Sequence, residues 1–373
     1  MDKGLQKQFV KFHEEIRLDF DDSSILREKR DLLINELRAY LKKIAEDNQT
    51  PLITFENFNQ GSYGMGIGIK SMPNEDYDID VALVFHFATK DIGPLAIKLL
   101  IYAALNKGNR TVLIKKPCVR VQYHKDGSES FHVDIASYSD KYYNLDDKYY
   151  LARGIEKEPK SQFWEQSGPK DLKAQFQALF EGDDHKQFVR VIRSMKRWKD
   201  NNFSATGSER PIGIGITVCA MKWFSPEKEW TDVSQYNYND CLALRNLVHL
   251  MLDNFSNYIS KDGKSKTLRL VVRLSVLPQN DLFEKMTDAE MENFRKKLIR
   301  LRDSLNIAME EKSLKKACKI LESEFGEDFH VPDEDEEAKA VNTAFSANLL
   351  GLSGKSPSFP VLIKNRGGFY GRQ

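Results

Sequence analysis

Apolar residues recur at helical spacing over residues 24–47, where Leu26, Leu33, Leu37, Tyr40, Leu41 and Ile44 share one face and charged groups take the other. This predicts an amphipathic helix of about six turns, with Ser23 or Ser24 placed to cap its start. The stretch PLITFENFNQGS then reads as a strand running into glycines, and YDIDVALVF (77–85) reads as a second strand. A helical pattern follows over 94–106. Next, KKPCVRVQYH (115–124) and ESFHVDIASY (129–138) alternate in polarity and are joined by KDGS, which predicts a hairpin. From about 170 to 325 the period becomes helical, through FVRVIRSMKRWKDN, GITVCAMKWF and CLALRNLVHLMLDNF to a long charged helix over about 287–324. The order predicts an α+β fold: a mixed lobe over 1–165 with its long N-terminal helix, a helical lobe over 166–330, and an acidic linker and tail over 331–373.

One strand breaks its own pattern. Asp78 and Asp80 interrupt an otherwise apolar run in which Ile79, Val81, Leu83 and Phe85 face a core. Alternate strand residues share a face, so the two carboxylates point the same way from backbone positions roughly 7 Å apart. Like charges that close repel, and a cation between them resolves the conflict. Magnesium, a hard ion preferring oxygen ligands, is suited to that place. Asp134, flanked by Val133 and Ile135, supplies a third carboxylate if strand 130–137 lies beside strand 77–85. Such a set can hold two metal ions for phosphoryl or nucleotidyl transfer. Taken alone, a DxD in a strand is more often a solvated edge or a helix cap. The glycines Gly61, Gly64, Gly66 and Gly68 fit neither the P-loop nor the dinucleotide-binding fingerprint. Together the pieces support one another, since loop amides and a serine hydroxyl can hold a triphosphate while carboxylates hold its metals.

Composition narrows the class. The 373 residues suffice for one large or two modest domains, and the 41% hydrophobic and 30% charged residues are ordinary for a soluble globular protein. A formal net charge of +1 argues against a chain that binds nucleic acid by its overall field, although a local basic cleft is compatible with it. The four cysteines stand singly, with no CxxC pair, so zinc and disulfide readings are poor and a reducing cytoplasm fits best. There is no apolar run of roughly 18 residues and no signal-peptide core, so no membrane association is expected.

Gly61-Ser62 after a strand, then Asp78-Ile79-Asp80, then Asp134 in a later strand resembles the signature of the nucleotidyltransferase superfamily related to polymerase beta. The helix FVRVIRSMKRWKDNN, with its Lys-x-Trp element, resembles the bacterial cGAS/DncV-like branch, which makes cyclic oligonucleotides. GIGITVCAMKWF resembles that branch's next helix, and LRDSLNIAMEEKSLKKACKILESEFGEDF its closing helix, with Phe325-Gly326 and Phe329. The likeness runs over roughly 25–330.

The resemblance implies a polymerase-beta-like mixed sheet packed against a helical lobe, with the active site in the cleft between them. It implies that Asp78, Asp80 and Asp134 bind two Mg2+ ions, replaceable by Mn2+, and that Asp134 helps deprotonate the attacking hydroxyl. Gly61 and Ser62 would bind the donor's β- and γ-phosphates, Lys196 would reach the triphosphate, and Thr217 stands near a position where a serine contacts phosphate. The base would lie between the lobes against an aromatic, with Tyr138 a candidate. For several of these residues the plainer alternative stays open. Lys196 sits among Arg190, Arg193, Arg197 and Lys199, a run that is usually a solvated face; Thr217 could bond a backbone carbonyl. Trp198 reads as core, and His132 as a polar neighbour of the site rather than a ligand. Asp76 reads as a turn or cap.

The implied activity is synthesis of a cyclic di- or trinucleotide second messenger from NTPs, ATP and/or GTP above all, with release of pyrophosphate in antiphage signalling. The alternatives sharing the core are linear oligonucleotides, RNA tailing and nucleotidylation of a protein. A non-enzymatic descendant would have lost a carboxylate, and all three are present. No Cys/His cluster resembles a zinc ribbon, and long-DNA binding is not expected. The insert GMGIGIKSMPNE (64–75) is long and reads as a lid over the donor or a long turn. The tail FPVLIKNRGGFYGRQ is a candidate for a regulatory or conjugating protein partner, although it ends in Arg-Gln rather than a small residue.

Overall fold

The two alternating segments on either side of the carboxylates become the centre of one sheet. A computed structural model of the chain describes residues 4–18, 20–73, 77–123, 131–204, 209–232, 235–259 and 266–333. Among them, β1 (Phe55–Asn59), β2 (Tyr77–Phe85), β3 (Arg110–Ile114), β4 (Val119–Tyr123), β5 (Phe131–Ser139), β6 (Tyr149–Ile155) and β7 (Glu158–Ser167) form a mixed seven-stranded sheet. Its order is β1-β2-β5-β4-β3, with β6 joined to the end of β5 and β7 to β6. Strands β2 and β5 run parallel, while β1 on β2, β4 on β5 and β3 on β4 are antiparallel. A parallel pair needs a long crossover, and helix α4 (Pro94–Leu105) plus the β3–β4 hairpin supply it. The predicted pairing of β4 with β5 is present; its turn, KDGS, lies outside the described residues.

The helices before and within the sheet are α1 (Leu5–Ile16), α2 (Phe20–Asn48), α3 (Gly61–Gly64) and α4 (Pro94–Leu105). After the sheet come α5 (Asp171–Ala178), α6 (Gly182–Asn202), α7 (Gly213–Trp223), α8 (Asp240–Asp253), α9 (Asp288–Glu310) and α10 (Leu314–Phe325). Two short hairpins, β8 (Lys228–Asp232) with β9 (Gln235–Tyr238) and β10 (Phe255–Ile259) with β11 (Lys266–Leu270), interrupt the helical half. The sequence pattern did not show them, because few of their residues are buried and no apolar alternation marks them.

Two cores result. Leu26, Leu33, Ile34, Leu37 and Leu41 of α2 pack with Ile79, Val81, Leu83 and Phe85 of β2 and with Ile97 and Ile101 of α4. This leaves the opposite face of the sheet, which carries Asp80 and Asp134, uncovered by α2. The second core joins α6 to α10, and α1 belongs to it as well: Phe9 and Phe12 meet Phe325 and Phe329 at ring centroids 5.1–6.2 Å apart. The chain therefore starts in the helical core before building the sheet.

Several local expectations change. Helix α2 begins at Phe20, so Ser23 and Ser24 lie inside it rather than at its cap. The long charged helix is two helices, because Glu311 adopts extended backbone and Ser313 caps α10 by accepting from the Lys316 amide. Thr287 and Glu290 form a reciprocal capping box at the start of α9. Trp198 is core, as read from the sequence: it is wholly buried, meets Phe203 and Phe294, and donates its Nε1–H to the buried Glu324 carboxylate at 3.2 Å. Asp76, most of the acidic run and the 351–373 tail lie outside the described residues.

Removing that indole leaves both a cavity and a buried carboxylate short of one donor. A Trp198→Ala substitution is expected to cost about 3–5 kcal/mol, measured by urea unfolding; a loss under about 1 kcal/mol would show that the helical core does not depend on it.

Candidate active site

The site is built on one row of residues across three strands. Parallel register sets Asp80 of β2 beside Asp134 of β5, and antiparallel register sets Arg120 of β4 opposite Asp134. Paired residues share a face, and adjacent strands lie about 4.8 Å apart, so the two carboxylates are immediate neighbours. Asp78 occupies the register position opposite His132. Among the described residues no three His, Cys, Asp or Glu side chains gather at one point, so the described part of the predicted set is the pair Asp80 and Asp134.

Arg120 was not anticipated. Its guanidinium grips Asp134 with both prongs, Nε to Oδ1 at 2.8 Å and Nη2 to Oδ2 at 2.7 Å. This two-pronged, charge-assisted geometry is the strong form of an ion pair. The sequence could not reveal it, since the register of β4 on β5 depends on a turn whose length the pattern leaves open.

The glycine loop meets this row from above. The Gln60 amide donates to the Asp80 carbonyl at 2.8 Å, and Gly61 begins the short helix α3 at φ +58°. A Cβ built on Gly61 would lie 1.8 Å from Asp80 Oδ2. Only glycine lets the loop backbone approach the carboxylate this closely. Ser62 follows, and its hydroxyl accepts a hydrogen bond from Lys196 Nζ at 2.6 Å.

Lys196 is fully enclosed and also donates to the Ile67 carbonyl at 3.0 Å. Burial, reinforced by the like charges of Lys199 and Arg193, lowers its pKa from the ordinary lysine value to about 7. Its neighbours are not the solvated face that a basic run suggests. Arg193 donates to the Gly66 carbonyl at 2.8 Å, Arg197 to the Lys70 carbonyl at 2.9 Å, and Arg190 pairs with buried Asp240. Residues 193, 196 and 197 fall on one helix face by their spacing. The described part of the predicted lid, 64–73, is therefore a strut. Met65 and Ile67 insert into the helical core, while carbonyls of residues 66, 67 and 70 are held by α6.

Two cavities meet at Asp80. One, of about 360 Å3, is polar and is lined by Ser62, Asp80, Arg120, His132, Lys196, Lys199, Asp200, Arg210 and Gly213 among others. Lys199 and Arg210 both pair with Asp200, which places two further cations there that sequence reasoning missed. The other, of about 340 Å3, is more apolar and is lined by Gly61, Asp80, Tyr138, Leu172, Ile214, Leu274 and Val276 among others. Tyr138 is buried, its hydroxyl bonds the Gln60 side chain, and burial raises its pKa to about 12. Thr217 is not brought to either cavity. It lies one turn into α7, buried, with its hydroxyl donating to the Gly213 carbonyl at 3.1 Å, which is the plainer of the two alternatives for it.

An acidic pair at the centre of a mixed sheet thus lies with a glycine-serine loop and a buried lysine from the helical half. Residues 55–138 match the family model described as cyclic GMP-AMP synthase DncV-like, nucleotidyltransferase domain. The fold is similar to that of DncV from Vibrio cholerae. The GTP-bound form aligns with TM-score 0.66 and 16% identity, covering 86% of this chain and 93% of that one. The DncV cyclic AMP-GMP synthase in complex with the linear intermediate 5′ pppA(3′,5′)pG aligns with TM-score 0.61 and 17% identity, covering 86% and 94%. At these identities the likeness is one of fold, and it extends over both the sheet and the helical lobe.

The lysine supplies a pH test. Its folded-state pKa of about 7 lies below the unfolded value of 10.5, so the folded chain pays its full burial penalty below pH 7 and is relieved of it as pH rises towards 10.5. A Lys196→Met variant is expected to gain most stability relative to the natural chain in acid and least near pH 10. Chemical unfolding across that range checks it, and a pH-independent difference would refute the buried-lysine assignment.

Proposed function

We propose that the chain is a metal-dependent nucleotidyltransferase that joins NTPs, ATP and/or GTP first among them, into a cyclic di- or trinucleotide with release of pyrophosphate. The observation that supports this most is the side-by-side register of Asp80 and Asp134, with Asp80 lining a polar cavity that Ser62 and Lys196 also line. The antiphage signalling role that accompanies such products is part of the same reading.

The residues fit a divalent cation. Two adjacent carboxylates repel unless a positive charge sits with them, and their oxygens are the hard donors that Mg2+ and Mn2+ prefer. Asp78, Asp80 and Asp134 would hold the two ions, which supply charge neutralisation at the phosphates and activation of the attacking oxygen. The chain's own residues do the rest. Ser62 and the Gly61 backbone position the β- and γ-phosphates, and Lys196 meets them as a point charge. Lys199 and Arg210, held ready by Asp200, balance the remaining charge of the triphosphate. The apolar cavity beside Tyr138 takes the base and excludes water from one side of the α-phosphorus. A ribose hydroxyl of the acceptor attacks that phosphorus in line, Asp134 assists loss of the hydroxyl proton to solvent, and the bond to pyrophosphate breaks. Ring closure repeats the step after the linear intermediate turns round.

Incubation with radiolabelled ATP, GTP, CTP and UTP plus Mg2+ or Mn2+, then phosphatase, is expected to leave a resistant small product. A phosphatase-sensitive ladder would favour linear synthesis, and absence of turnover with any pair would overturn the enzyme reading. Asp80→Asn is expected to lower turnover at least a hundredfold, in the range found when a transition-state charge stabiliser is removed. Gly61→Ala is expected to fall as far, because its Cβ displaces the Asp80 carboxylate, while the fold remains by circular dichroism.

A further inference from the structure

The acidic pair is not presented to the cavity evenly. Asp80 lines the polar cavity directly, whereas Asp134 is absent from its lining and Arg120 stands there instead. Both oxygens of Asp134 are engaged by Arg120, at 2.8 and 2.7 Å, and the Asp134 side chain is only 13% exposed against 31% for Arg120. The row across the sheet thus runs cation, anion, anion, with the cation fixed through its backbone in the interior strand β4.

We propose that Arg120 is a built-in stand-in for the divalent cation: it sequesters Asp134 while the site holds no metal and is displaced from it when metal binds. The inference rests on the metal-dependent reading of the site given above. Without a counter-charge, two carboxylates on neighbouring strands would repel or force one of them to take a proton. The guanidinium removes that conflict in the free protein and lets the strands fold in register before any ion arrives. The same contact raises the threshold for loading. A divalent ion can reach Asp80 from the cavity, but it gains Asp134 only by taking oxygens that Arg120 holds. Once displaced, the guanidinium cannot leave, because β4 anchors it. It turns instead into the cavity already lined by Lys196, Lys199 and Arg210, where the charge it brings suits a polyphosphate. Loading of metal and arrival of nucleotide are thereby coupled through one side chain, and an ion alone binds more weakly than an ion with nucleotide. Arg120 acts through Asp134 and is a positioning residue in this scheme.

Binding of Mn2+ to the full chain, followed by electron paramagnetic resonance and calorimetry without nucleotide, tests the idea. Removing a two-pronged charged contact frees Asp134, so Arg120→Gln is expected to bind Mn2+ about tenfold more tightly than the natural chain. Arg120→Lys, which keeps the charge and loses the fork, should fall between them, and adding a non-hydrolysable NTP should narrow the gap. Arg120→Gln should also melt lower without metal and show the larger Mn2+-induced rise in melting temperature. Equal or weaker Mn2+ binding in a folded Arg120→Gln or Arg120→Lys would overturn the proposal, since a purely structural arginine predicts that result. Asp134→Asn separates the two levels. If the natural chain binds Mn2+, Asp134→Asn loses it and Arg120→Gln matches the natural chain, the stand-in fails alone. If none of the three binds Mn2+, the metal reading of the site fails with it.

Discussion

The structure depends on cations of one helix finding carbonyl oxygens of one strand-to-strand connection. Arg193, Lys196 and Arg197 of α6 donate to the carbonyls of Gly66, Ile67 and Lys70, the segment that leads from the glycine loop into β2. Burying cations is costly unless their donors are matched, and here the matching groups are backbone carbonyls of a segment whose described residues have, as ladder partner, a single bridge to Arg17. The exchange fixes the helical core against the sheet. It also sets the height of Ser62 over the carboxylates, since Lys196 holds that hydroxyl and the Ile67 carbonyl at once. A flexible lid in this place would lose the register on which the site relies.

Charge is arranged in alternation around the site rather than accumulated. Arg120 neutralises Asp134, Asp200 is shared by Lys199 and Arg210, and burial lowers the Lys196 pKa to about 7. Each cation is therefore available to an incoming polyanion at the cost of a contact already made, not of a free charge held in a dry cavity. This explains how a chain with formal net charge of +1 can present a strongly polar cavity. Beside it, the apolar cavity at Tyr138, Ile214 and Leu274 offers surface of the opposite character, and Asp80 stands at the boundary of the two. Such a division suits a ligand with one anionic and one aromatic end.

Much of this was legible in the chain. The alternation of YDIDVALVF set the strand and its two faces, the glycines marked a loop ahead of it, and the apolar period of residues 24–47 set the helix that covers one face. All three arise from local covalent geometry, in which strand and helix periods assign side chains to faces without reference to the rest of the fold. Residues whose partners are distant were read less well. The basic run of α6 was indistinguishable from a solvated face, because hydrophilic character in sequence does not say whether an acceptor waits across the interface. Thr217 was placed near phosphate by position, whereas its hydroxyl turns back on its own helix.

The sequence by itself singled out the candidates for chemistry: the aspartates, the glycine-serine loop and the lysine of the Lys-x-Trp helix. Only the tertiary structure decided how they meet. Register of β4 and β5 brought Arg120 onto Asp134, crossing of the chain between the sheet and the helical core buried Lys196 against Ser62, and α1 joined helices as far along the chain as α10. The physical reason is range. Periodicity and turn chemistry act over a few residues, whereas desolvation and charge pairing act between groups that the chain joins only once its cores have closed.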